Sequence, residues 1–129
     1  MHRSRLFGLF IDTPSAETPA AATFWAGAFG TTATPVPGEE EFIALRDAFP
    51  GLAVDVQSVD DAPRYHLDIE TDDVPAETAR LLALGATVVA DHGGHKTLRA
   101  PGGHLLCVVP VQSDQRLFET TARTWTTID

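Results

Sequence analysis

The chain has 129 residues, 43% of them apolar and 21% charged, a composition that predicts one soluble domain able to bury a core. Its net charge of −9 repels nucleic acid and anionic membranes and favours a cationic ligand. No apolar run reaches the roughly 20 residues of a membrane span, and a single cysteine, Cys107, excludes an intrachain disulfide and agrees with a cytoplasmic location.

The basic start, Met1-His2-Arg3-Ser4-Arg5, reaches Asp12 and Pro14 too soon for a signal peptide. Leu6 to Ile11 reads as a strand that ends at Asp12. A helix follows. Thr18 is a candidate cap ahead of Pro19, with Ser15 as the alternative start, and Gly30 is a left-handed stop. Ala21, Phe24, Trp25 and Ala28 are its expected buried stripe. Glu39-Glu40-Glu41 reads as a solvated loop, and Phe49-Pro50-Gly51-Leu52 as the lead into a strand over residues 53–59. There Val54 and Val56 alternate with Asp55 and Gln57, which should point away from the helix layer.

A second unit of the same kind starts at Arg64. His66, Asp68 and Glu70 lie on one face of its first strand, and Tyr65, Leu67 and Ile69 on the other. Asp73 can cap the next helix, Pro75 fits its first turn, and Gly85 suits its end. Val74, Thr78, Leu81, Leu82 and Leu84 give it an apolar face. Asp91-His92-Gly93-Gly94-His95 and Pro101-Gly102-Gly103 read as turns. They precede a strand over residues 105–111 that holds Cys107. Each half is thus β-α-β-β-β, over about 4–59 and 64–111. Together they predict an α+β domain at 1–111, with a curved mixed sheet, helices on its convex side and polar residues in its concave side. The tail, 112–129, lies outside the repeat, and its Phe118 and Trp125 favour docking on this subunit or a partner.

The paired layout resembles the vicinal-oxygen-chelate superfamily, in particular its glyoxalase-like and bleomycin-resistance-like branch. The motifs that carry the likeness are Ile11-Asp12, Phe24-Trp25, Phe29-Gly30, Arg64-Tyr65-His66-Leu67-Asp68, Asp72-Asp73, Leu84-Gly85-Ala86 and Pro101-Gly102-Gly103-His104. They cover roughly residues 5–111. The resemblance implies a small-molecule pocket in the concave sheet and a homodimer. In metal-dependent members, four side chains from strands one, four, five and eight hold a divalent cation. Carried over, those positions fall on Arg5, on Asp55 or Gln57, on His66 and on Cys107. Arg5 cannot ligate a cation. Asp55, His66 and Cys107 remain as a three-ligand set, but the expectation is a remodelled site with no catalytic metal and no cofactor.

His66, with Asp55, is the candidate acid/base pair. His66 is alternatively a relic ligand or a hydrogen-bonding strand residue. Arg5, Phe7, Leu9, Gln57, Asp68 and Cys107 are the candidate ligand-binding residues, with Phe42 as a further wall. Arg5 reads as a carboxylate or phosphate binder, a solvated strand end, or half of a salt bridge with Asp55. Cys107 reads equally as a small core residue. Three functions follow: a metal-free binding protein that takes up a small aromatic or cationic molecule, a metal-free isomerase or lyase, and a metal-dependent lyase or dioxygenase.

Overall fold

The computed structural model describes residues 1–126. In chain order it contains β1 (His2–Pro14), a 3-10 turn (Ser15–Glu17), α1 (Thr18–Phe29), β2 (Ala33–Val36), β3 (Glu39–Leu45) and β4 (Ala53–Val59). There follow β5 (Arg64–Thr71), α2 (Val74–Ala83), β6 (Thr87–Asp91), β7 (Lys96–Arg99), β8 (Leu105–Pro110), α3 (Gln115–Thr121) and β9 (Arg123–Trp125). The class is α+β with mixed pairing, and β-α-β-β-β occurs twice. Among the described residues no helix is long and apolar enough to cross a membrane.

Two compact units divide the chain: residues 8–66, and residues 1–7 with 67–129. In the 8–66 unit β1 pairs parallel to β4, β4 antiparallel to β3, and β3 antiparallel to β2. Its core is Ile11, Ala22, Ala26, Leu45, Val54 and Val56. Both candidate helix starts are used, since Ser15 opens the 3-10 turn and Thr18 opens α1 with Pro19 in its first turn. Gly30 ends α1 at φ +70°, where only glycine is unstrained. The buried stripe of α1 is Thr18, Ala22 and Ala26, not the expected one. Ala21 and Trp25 flank it, while Phe24 and Ala28 are exposed. Small residues at i, i+4 and i+8 let the helix lie close on the sheet, and the large aromatics are displaced to its flank.

In the other unit β5 pairs parallel to β8, and β7 lies antiparallel between β8 and β6. Leu98, Val108 and Phe118 are its buried apolar side chains. Asp73 caps α2 by accepting from Ala76 N at 3.0 Å. Val74, Thr78 and Leu81 form the inner stripe as expected, but Leu82 and Leu84 stay exposed. The tail docks. β9 pairs antiparallel to the first residues of β1, His2 opposite Trp125, and Phe118 is buried.

Two fully buried carboxylates tie this unit together. Glu70 accepts from Arg5 Nη1 at 2.8 Å, Gln112 N at 2.7 Å, Ser113 N at 2.9 Å and Ser113 Oγ at 2.5 Å. Glu77 accepts from Arg80 Nε at 2.8 Å and Nη2 at 2.7 Å, and its Oε1 lies 2.7 Å from His2 Nε2.

Candidate functional site

Register decides the faces of the 8–66 unit. Phe10 stands opposite Asp55, Ile11 opposite Val56 and Asp12 opposite Gln57, while β3 sets Ala44 against Asp55 and Phe42 against Gln57. Ile11, Val54 and Val56 pack on α1. Strand alternation therefore puts Phe10, Asp12, Phe42, Asp55 and Gln57 on the opposite face. Asp55 and Gln57 turn away from the helix, as their spacing predicts. Gly8, opposite Ala53, opens this face; a Cβ there would lie 2.8 Å from the Ala53 carbonyl oxygen, so the close approach of β1 to β4 needs a glycine.

His66 stacks on Phe10 with ring centroids 4.9 Å apart and planes 9° apart, and Phe42 meets Phe10 edge-on at 5.9 Å. Its Nδ1–H donates to Asp12 Oδ2 at 2.7 Å, with side-chain exposures of 11% and 2%. Arg64 Nε reaches the same oxygen at 3.4 Å, and Arg64 Nη1 donates to Asp61 at 2.7 Å. A buried carboxylate on Nδ1 fixes the ring orientation and the tautomer in which Nε2 is the basic nitrogen. The other Asp12 oxygen, Oδ1, is buried and has no hydrogen-bond partner among the described residues. A buried acceptor in that condition is costly and is satisfied by any donor that reaches it.

Asp12 also walls a cavity of about 430 Å³, together with Glu17, Trp25, Pro63, Arg64 and Tyr65. That volume is within the roughly 300–1,000 Å³ of small-molecule sites. None of the residues expected to bind ligand from sequence lines it. Asp12 was missed because β1 was expected to end there, whereas the strand runs on to Pro14. The alternation that put His66 and Asp68 on one face of β5 would have put Phe10 and Asp12 on one face of a longer β1.

The remaining expected residues fall as follows. Leu9, placed with Phe7 in the pocket wall, instead stands opposite Val54 on the helix-packed side. Phe7 is half-buried and precedes it by two in β1. The aromatic on the open side is Phe10. In the other unit Arg5 donates to Glu70, and Asp68 stands opposite Cys107 in the β5–β8 register. Cys107 is half-buried, with Sγ 3.5 Å from Thr97 Oγ1.

At one of the four positions the metal set that the resemblance describes lacks a ligand. Its first position is Arg5, a guanidinium only 10% exposed that holds a buried carboxylate at 2.8 Å, and a cation there repels a metal ion.

A family model described as a glyoxalase-like domain matches residues 8–109. Among solved structures, methylmalonyl-CoA epimerase from Mycobacterium tuberculosis is similar, with 14% identity and a TM-score of 0.58 over 83% of this chain and 88% of that one. A hypothetical protein from Bacillus halodurans C-125 is similar at 11% identity and a TM-score of 0.59, over 87% of this chain and 99% of that one. A variant of Streptomyces coelicolor methylmalonyl-CoA epimerase, in complex with 2-nitronate-propionyl-CoA, gives 16% identity and a TM-score of 0.56, over 84% and 98%. At these identities the likeness is one of fold. Comparison with curated protein sequences gives no match.

Proposed function

This chain belongs to the glyoxalase-like domain family, of vicinal-oxygen-chelate fold, and from that premise we propose that its 8–66 unit binds a small organic molecule without a catalytic metal. The observation that carries this reading is the cavity of about 430 Å³ with Asp12 in its lining; one oxygen of that carboxylate, Oδ1, is buried without a donor among the described residues. A ligand with an ammonium, amine or hydroxyl group would supply that donor. Its flat apolar body would lie against Trp25 and Tyr65, whose faces also attract a cation. A chain charge of −9 draws such a ligand in. Uptake without turnover, as in the bleomycin-resistance-like branch, needs nothing more.

One observation favours a second reading, an isomerase or lyase working by proton transfer. His66 is oriented by a buried carboxylate, as a general base requires. That carboxylate belongs to Asp12; the sequence suggested Asp55 for the acid/base pair.

The test begins with the metal content of protein purified without an affinity tag. A thermal-shift screen of small aromatic and cationic compounds follows. Stabilisation should approach about 2.7 kcal/mol when a compound is present at 100 times its Kd, and Asp12→Asn should abolish it. Either no stabilising compound, or hits indifferent to Asp12→Asn, would overturn the cavity reading. Stoichiometric metal that His66→Ala removes would replace it with metal chemistry. A hit that is converted, with turnover lost and binding kept in His66→Ala, would select the second reading.

We also propose a homodimer. Phe24 and Phe29 are 63% and 44% exposed on α1, and β6 is an edge strand with Val88 and Val89 exposed. Such surfaces are normally covered. Light scattering at micromolar concentration should give twice the 13.8 kDa chain mass; a monomer counts against it.

A further inference from the structure

The unit formed by residues 1–7 and 67–129 holds a second cavity, of about 270 Å³. Its apolar lining includes Leu6, Leu67, Ile69, Leu106 and Trp125, and its charged lining is Arg5, Arg80 and Arg123. Part of this wall is built from β9, which lies beyond the 8–109 family match. We propose that this cavity is a binding site for a small planar organic anion, such as a single aromatic ring bearing a carboxylate.

Geometry and charge both point there. The Arg80 guanidinium lies 3.8 Å from the centre of the Trp125 ring. Glu77 holds it from one side through Nε and Nη2. That pair occupies two of the five N–H donors of an arginine, so three remain on a group whose position is already set. Trp125 is fixed in turn, since its Nε1–H donates to Ser4 Oγ at 2.8 Å. Arg123 and Trp125 alternate onto the same face of β9, and Arg123 is exposed at the rim. A carboxylate between Arg80 and Arg123 would find two guanidinium groups, and its ring would cover leucine and isoleucine side chains. Glu77 and Glu70 offset the charges of Arg80 and Arg5, so Arg123 supplies the net positive charge of the lining, effective over roughly the 8–10 Å that salt leaves unscreened. The volume, just under the usual range for ligand sites, suits one ring rather than two.

This inference is independent of the Asp12 cavity. Titrate ¹⁵N-labelled protein with benzoate and, separately, with uncharged benzamide. Benzoate should shift the Trp125 Nε1–H and Arg80 Nε–H resonances saturably, and benzamide should not. Arg123→Gln should weaken benzoate about tenfold, and Arg123→Lys should recover part of that loss. Arg99→Gln, a change of equal charge at the β7–β8 turn where Arg99 donates to Gly103 O, should leave it unchanged. Equal response to benzamide, shifts confined to other resonances, or benzoate binding indifferent to Arg123→Gln would overturn the proposal.

Discussion

Replacing Glu70 with alanine should cost the fold about 3–5 kcal/mol, the usual effect of removing one partner from a buried charge network, and should release the C-terminal segment first. Glu70 is fully buried and accepts from Arg5, from Gln112 N, and from both the backbone and the hydroxyl of Ser113. Those contacts join β1, β5 and the start of the tail. The same network makes stability depend on pH. Burial pushes the Glu70 carboxyl up, but the hydrogen bonds from Ser113, Gln112 and Arg5 outweigh it and hold it below the usual 4.5. A carboxyl lowered on folding adds stability above its unfolded value and loses it as pH falls through the lower folded value. The gap between wild type and Glu70→Gln should therefore be full at pH 7 and shrink below about pH 4.5. Urea unfolding at both pH values measures the gap, and hydrogen exchange over residues 112–126 reads the release. A Glu70→Ala variant within 1 kcal/mol of wild type would show that the network does not hold the tail.

Patterns that depend on neighbours in sequence were legible without a structure. Asp73, Pro75 and Gly85 bracket α2 where capping chemistry says they should, and Val54 and Val56 separate the core face of β4 from Asp55 and Gln57. What failed was phase and reach. β1 is 13 residues long, and Arg5, Phe7 and Leu9 were taken as its open face. In the 8–66 unit that open face is Gly8, Phe10 and Asp12. Nothing local marks the change, because Phe10 and Leu9 are equally apolar, and only the pairing with Ala53, Val54 and Asp55 distinguishes them. Arg5 shows the limit of reach. It donates to Glu70, 65 residues away, and Glu70 was read merely as one of three polar residues on a strand face. The pairing at the candidate site was hidden for the same reason. His66 was conspicuous by type, whereas Asp12 looked like the acid that ends a strand, and only the fold sets one 2.7 Å from the other.

Glu77 was the least conspicuous residue of all, an acid in the first turn of a helix, where it is expected to complement the macrodipole from the surface. It is instead fully buried, with His2 and Arg80 as its partners. Burial pushes its carboxyl up; hydrogen bonds from Arg80, His2 and Ser4 and the Arg80 charge reverse that and leave it below 4.5. Its contribution therefore also holds above about pH 4.5 and fades in acid. Glu77→Ala should lose about 3–5 kcal/mol, which for a chain of this size lowers Tm by on the order of 10–20 °C. Glu77→Gln should lose less, since an amide still accepts one hydrogen bond. Part of the loss is shared with His2, so the His2→Ala, Glu77→Ala pair should fall short of the sum of the single changes. The substitution also reaches the second cavity. Without Glu77, Arg80 is no longer held bidentately against Trp125, so a folded Glu77→Gln protein should bind benzoate more weakly. If its affinity is unchanged while its stability drops, Glu77 serves the fold alone and Arg80 finds its place over Trp125 by stacking.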